Sequence, residues 1–310
     1  MSRLLTAEQL RLLAAGPEEQ LAAALEEHGA HGAGADGPVA DGPVADLFFR
    51  LEQAFRDVVG GFGVWASLAQ RWLAEHTERP GSAGGLPVDR AWLVAGLHGV
   101  AIDDIRCLTP DPPPIPDGPV TADGILSLFR RRRDSFRRLH DASLDWTCAL
   151  WSEIYRVGGP DGLEDYLRAI GDKTLLRWMA QDVVEDPVDR ITRWASLLNA
   201  NFASITLDED DDHFTIVQDP CGTCSRQVRY GAYGPPLDLA VVGERHLVTY
   251  GQGDLPVYRC HVAVIHHAMG IERTGHPWPV HDCPAHLGTG PCTIRLRKAP
   301  HQLQESAAGG

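Results

Sequence analysis

Along the first two-thirds of the chain, apolar residues recur three and four positions apart, the spacing of a helix with one buried face. Leu4, Leu5, Leu10, Leu12, Leu13, Leu21 and Leu25 predict helix over residues 1–27, broken in two by Gly16-Pro17. Leu47, Phe48, Leu51, Phe55 and Val58 predict a second helix from residue 46, which Trp65, Leu68 and Trp72 continue beyond Gly60-Gly61. Residues 89–98 read as a shorter helix. The strongest run is 121–157, with Ile125, Leu128, Phe129, Phe136, Leu139, Leu144, Leu150 and Ile154 at helical spacing; Gly158-Gly159-Pro160 is its expected end. Further helices are predicted over 162–170, 173–182 and 187–202.

Near Ser204 the period shortens to two. Residues 204–207 and 213–218 alternate as strands do, with the acidic turn 208–212 between them. Residues 227–230, 237–242 and 246–250 read as possible strands, 257–269 as a strand running into a helix, and 292–298 as a final strand. The expected class is α+β: a helical N-terminal two-thirds followed by a small mixed α/β domain. The expected divisions are 1–44 (N-terminal helix and flexible linker), 45–202 (helical domain), 203–300 (α/β domain) and 301–310 (tail). The linker rests on residues 28–44, rich in Gly, Ala and Pro, which repeat Ala35-Asp36-Gly37-Pro38-Val39 as Ala40-Asp41-Gly42-Pro43-Val44 and hold too few large apolar residues to build a core. Residues 79–86 read as a loop, and 109–118, with Pro112-Pro113-Pro114, as an extended connection.

Composition narrows the function. With 44% hydrophobic and 23% charged residues over 310 positions, the chain has enough apolar material for a sizeable core, so a metal is not needed merely to hold it together. A formal net charge of −14 argues against general nucleic-acid binding. The basic run Arg130 to Arg133, with Arg137 and Arg138, reads as a solvated helix face paired with acids. No secretory signal or long apolar run is seen, which predicts a cytoplasmic protein with reduced thiols and no membrane partner. The weight of Ala, Gly, Pro and Arg suggests a GC-rich bacterial source. The pattern carries no signal of oligomeric state.

In such a compartment, clustered cysteines point to a metal or to reactive thiols. Of seven cysteines, Cys221, Cys224, Cys260, Cys283 and Cys292 lie in the last third, and six of the 14 histidines lie between His261 and His286. Thiolate and imidazole are the ligands zinc and iron prefer. Cys221-Gly222-Thr223-Cys224 lets two sulfurs converge on one ion. The same spacing at a helix start is a redox motif, but residues 225–230 look extended, which favours a metal knuckle. Cys260 and His261 form the second element. If 260–269 is an α-helix, Cys260 and His267 share a face, whereas His261 and His266, five apart, match poorly. His281, Asp282 and Cys283 form the third: His281 and Cys283 share a face of an extended segment, and Asp282 is placed to orient a metal-bound imidazole. The expected metal ligands are therefore Cys221, Cys224, Cys260, His261 and Cys283, with His267, His281 and Asp282 as candidates for acid–base chemistry. Cys292 reads as a core residue of the last strand, and Cys107 and Cys148 as buried small apolar residues. Trp146, Trp151, Trp178 and Trp194 are possible pocket lining or core.

The acidic strand hairpin, Tyr258-Arg259-Cys260-His261, Cys283, and the closing Gly288-Thr289-Gly290-Pro291-Cys292 strand, with the helical stretch near 154–170, resemble the L-2-amino-thiazoline-4-carboxylic acid hydrolases and the related 4-vinyl-reductase-type domains. The resemblance implies a helical half followed by a small α/β domain with a cysteine-based pocket. Cys221-x-x-Cys224 and the many histidines depart from that pattern.

The reading is a zinc- or iron-dependent enzyme, of hydrolase or lyase type, acting on a small molecule. A catalytic zinc keeps one position open for water and lowers its pKa. The alternatives are a closed structural zinc in a binding or regulatory protein, a non-haem iron oxygenase using histidines and a carboxylate, and a metal-free enzyme with a cysteine nucleophile.

Overall fold

Gly16-Pro17 separates two N-terminal helices, α1 (Ala7–Ala14) and α2 (Pro17–His28), and Thr6 caps the first through a reciprocal bond with Gln9. The computed structural model describes residues 3–28, 42–77, 90–107, 121–175, 178–179, 181–182, 185–284 and 288–299. Most of the expected linker, the two expected loops and the tail lie outside these. Pro43 and Val44, placed in the linker by sequence, instead begin α3 (Pro43–Thr77), which runs unbroken through Gly60-Gly61. After α4 (Ala91–His98) and α5 (Ile102–Cys107) comes α6 (Ala122–Ile170), two helices joined at Gly159, whose backbone (φ 66°, ψ −165°) favours glycine. A single π-helical turn, Gly171–Leu175, and α7 (Pro187–Ala200) complete the helical part.

The remainder is built on β1 (Ile205–Glu209), β2 (His213–Gln218), β5 (Val280–Asp282) and β6 (Cys292–Arg297). They form one antiparallel sheet in the order β1-β2-β6-β5. β3 (Val241–Val242) pairs with β4 (Leu255–Pro256) in a two-stranded ribbon. The fold is thus α+β, long helices first and a small α/β part after. Three expected strands are not as read. Residues 227–230 lie largely in α8 (Cys224–Arg229), only Val241 and Val242 of 237–242 are strand, and Leu247–Thr249 is a 3-10 turn.

The two parts do not pack as separate units. One core joins Phe62 and Leu73 of α3, Trp151 and Leu163 of α6, and Val242, Val257 and Val264 beyond residue 203. The inner face of the sheet (Phe214, Ile216, Ile294 and Leu296) packs on Leu10 of α1 and Ile191 and Trp194 of α7. The N-terminal segment is stitched to β1, because the Leu4 and Leu5 amides donate to the Glu209 carboxylate at 2.6 and 3.0 Å. In the basic run Arg130 and Arg133 pair with Glu18 as expected, whereas Arg132 is not on a solvated face but buried against Glu52. Among the described residues no helix is long and apolar enough to cross a membrane.

Candidate metal centre and cavity

Strand register brings the cysteines together. Gln218 at the end of β2 faces Cys292 at the start of β6, and Asp282 at the end of β5 faces Thr293. Cys221 and Cys224 therefore leave the sheet where Cys292 enters it, and Cys283 leaves it on the other flank. Cys221, Cys224 and Cys292 are buried, and their sulfurs lie within 4.8 Å of one another, placed to hold a metal ion. The Cys221–Cys224 separation is 3.8 Å. A tetrahedral ion with metal–sulfur bonds of about 2.3 Å needs sulfur–sulfur edges of about 3.8 Å. Cys283, half-buried, is the fourth thiol of the cavity wall and lies outside the group of three, near enough to Cys292 to influence its ionisation. The thiols of Cys221, Cys224 and Cys283 hold the Cys292 thiol well below its ordinary range, the direction of a thiolate. Its partners move the other way: Cys224 is pushed up by Cys221 and Cys292, and Cys283 by Cys292 and by burial.

Gly222 lets the Cys-x-x-Cys turn lie against the end of α7. A Cβ built on it would sit 1.7 Å from the Asn201 carbonyl oxygen and 2.6 Å from its carbon, both backbone atoms that cannot swing away. Gly222→Ala should therefore displace the turn and destabilise the fold by at least about 2–3 kcal/mol. Urea unfolding together with metal analysis checks this; a variant with wild-type stability and metal content would show that the turn is not held where it is described.

The sulfur cluster forms part of the wall of a cavity of about 320 Å³, in the size range of small-molecule sites. Trp65 of α3, Trp194 of α7 and Trp278 before β5 supply flat apolar walls, and His261, His266, His281 and Arg259 the polar ones. Of the tryptophans marked in the sequence, Trp178 and Trp194 line it, whereas Trp146 and Trp151 belong to the core. Two of the histidines are held by backbone: Nδ1 of His261 lies 2.5 Å from the Tyr258 carbonyl, and Nδ1 of His266 lies 2.8 Å from the Trp278 carbonyl. A carbonyl only accepts, so each Nδ1 carries the proton and each Nε2 keeps its lone pair. Trp278 is itself fixed, its indole N–H donating to Asp182 at 2.6 Å. The Nε2 of His281 is shut off from solvent and has no hydrogen-bond partner among the described residues.

His261 and His266 share the cavity because residues Val262–Met269 form a π-helix, not an α-helix. Bonding from i to i+5 widens the turn and brings residues five apart onto one side. The same change breaks the expected pairing of Cys260 with His267. Cys260 is fully buried with its thiol toward the Pro256 carbonyl, outside the sulfur cluster, and burial raises its pKa. His267 is exposed against the Tyr250 ring, and Asp282 is exposed at the end of β5, so neither lines the cavity. Cys292, expected as core, is both core and the third sulfur, since the face of β6 that packs inward is the face that meets the cluster. Cys148 is buried, as expected, beside Gln227; the Cys107 side chain and His286 lie outside the described residues. The helix at Cys224 also removes the ground on which a redox dithiol was set aside; the convergence of Cys292 and Cys283 is the better discriminator.

Desolvation holds His261 down at about 3 and His266 at about 4, the latter against the bond to the Trp278 carbonyl, which raises it. Both are neutral in the folded state and take up a proton on unfolding below the ordinary value of 6.5. Stability is then full above pH 6.5 and falls as pH drops toward 4, because the unfolded state binds more protons in that window. Between pH 7 and pH 5 each histidine should remove about 2 kcal/mol. Denaturant unfolding at the two pH values measures it, and equal stabilities would show that these rings are not buried neutral.

Comparison with family models, with curated proteins and with solved structures finds no match.

Proposed function

We propose that the chain is a metal-dependent enzyme, of hydrolase or lyase type, in which Cys221, Cys224 and Cys292 hold a zinc or iron ion at the wall of the cavity. The observation that carries this reading is the position of the sulfurs: they border a largely apolar cavity together with buried imidazoles and a guanidinium. A purely structural knuckle needs no such chamber. Bound there, the ion would polarise a substrate oxygen or activate water. The chain's own groups do the rest. The tryptophan walls bind and orient a small molecule and exclude bulk water. With Nδ1 tied to backbone carbonyls, the Nε2 lone pairs of His261 and His266 are left to accept hydrogen bonds from what the cavity holds. A helical half followed by an α/β part with a cysteine-lined pocket is also what the resemblance noted above implies.

The competing reading is a closed four-thiolate site with Cys283 as fourth ligand, favoured by the presence of Cys283 beside the other three sulfurs in the cavity wall. Substituting cobalt(II) separates them. Its visible spectrum reports tetrahedral thiolate ligation and shifts when a small ligand enters an open position. Added cyanide should change the spectrum of the wild-type cobalt protein, and Cys283→Ser should keep the metal. A spectrum indifferent to cyanide, with metal lost in Cys283→Ser, would assign the site to structure.

A further inference from the structure

Arg259 is the charged group in the cavity wall with no hydrogen-bond or ion-pair partner among the described residues; its electrostatic neighbours are Tyr250 and the Cys283, Cys224 and Cys292 sulfurs. It ends the 3-10 turn Val257–Arg259, is 6% exposed and lines the chamber. The other buried arginines are all engaged. Arg132 meets Glu52, Arg226 meets Asp141, and Arg190 donates to the Arg297 carbonyl at 2.7 Å. Arg259 alone among them has no ion pair and no hydrogen bond among the described residues, not even to a cysteine sulfur. Its one ring contact is with Tyr250, 5.9 Å from the centroid. A guanidinium carries five N–H donors and stays charged, and the Arg259 nitrogens, which are not among the side-chain atoms sealed from solvent, face the cavity with no acceptor among the described residues. The natural partner is an anion brought in by the ligand.

The surroundings narrow the class of anion. Among the described residues Arg259 is the only lysine or arginine lining the cavity. One fixed positive charge suits a singly charged, planar carboxylate, which the guanidinium fork meets with two parallel bonds; a phosphate dianion would call for a second cation. The rest of the chamber is walled by the flat rings of Trp65, Trp194, Trp278 and Tyr258, which suit a planar unsaturated body. We infer that the cavity binds a small planar carboxylate, an aromatic or conjugated monoacid, anchored by Arg259 and held between tryptophan rings. This rests on the cavity being the ligand site of the proposed enzyme, but not on the metal.

Calorimetric titration of the full chain with benzoate and with benzamide, its neutral isostere, tests it, with metal content measured on every sample. Benzoate should bind the wild-type protein at least about tenfold more tightly than benzamide, since the bond to an ionised acceptor is the stronger. Arg259→Gln should abolish that preference while keeping the metal, and Arg259→Lys should keep a reduced one, having the charge without the fork. Equal affinities for the two compounds, no benzoate binding up to about 10 mM, or a preference that survives in Arg259→Gln would overturn the inference. So would an Arg259→Gln protein that loses its metal and still prefers benzoate, which would make Arg259 the counter-charge of the sulfurs. Benzoate selectivity in a protein without metal would uphold this inference while defeating the metal enzyme.

Discussion

Cys292→Ser should reduce bound metal to near zero, whereas Cys260→Ser should leave it at the wild-type level. The contrast separates the sulfurs that converge from one that sequence spacing alone had grouped with them. Cys292 stands at the start of β6, with Cys221 and Cys224 arriving from β2 and Cys283 from β5. Its thiol is also the one that all three neighbours hold toward the thiolate. A serine oxygen there removes a soft ligand from the middle of the group, and Cys221 and Cys224, the two ligands left, cannot retain the ion against a chelator. Cys260 lies on another face of its helical turn, fully buried, and its loss should cost only core packing, about 1 kcal/mol. Metal analysis after gel filtration in a weak chelator reads the difference. If Cys260→Ser loses the ion and Cys292→Ser keeps it, the ligand set described here is wrong.

The second large effect lies far from the cavity. Lys298→Ala should destabilise the protein by about 3–5 kcal/mol, because it strands a charge in the interior. The Lys298 ammonium is fully buried 2.5 Å from Glu209, whose side chain is equally buried. It also donates to the Asp210 carbonyl. Without it, the Glu209 carboxylate keeps the Leu4 and Leu5 amides but has no counter-charge. Burial alone would raise the Glu209 pKa; the Leu4 amide, Lys298 and the Leu5 amide together hold it below the ordinary carboxylate range. A depressed carboxyl pKa contributes stability that is present above its unfolded value of 4.5 and is lost as pH falls through the folded value. Lys298→Ala should weaken that acid dependence as well as the fold. Adding Glu209→Gln should recover part of the loss, since the stranded charge is gone. Urea unfolding of the single and double variants measures both effects. A loss below about 1 kcal/mol for the single variant would show that the pair is not buried as described.

What was legible in the sequence follows period and punctuation. The hairpin 205–218, the last strand and the break at Gly16-Pro17 are local patterns, and local patterns dictate them. The presence of a sulfur site was also legible, because Cys-x-x-Cys with a glycine inside forces two thiols together. Its membership was not. Whether Cys292 or Cys260 joins Cys221 depends on strand register, which couples residues about seventy positions apart and leaves no mark in either segment. An α-helical period pairs Cys260 with His267, but the stretch is π-helical. Five-residue spacing of His261 and His266 was the available signal, and it has meaning only once the wider turn is known. Nothing in the Tyr258–His261 segment marks Arg259; its burial in the cavity wall, with no hydrogen-bond or ion-pair partner among the described residues, sets it apart.

Elemental analysis of wild-type protein, purified under reducing conditions without chelators, tests the central claim most directly when joined to X-ray absorption at the metal edge. About one zinc or iron per chain is expected, with at least three sulfur neighbours near 2.3 Å. Metal at background level, with the cysteines recovered as free thiols or as a Cys221–Cys224 disulfide, would contradict it.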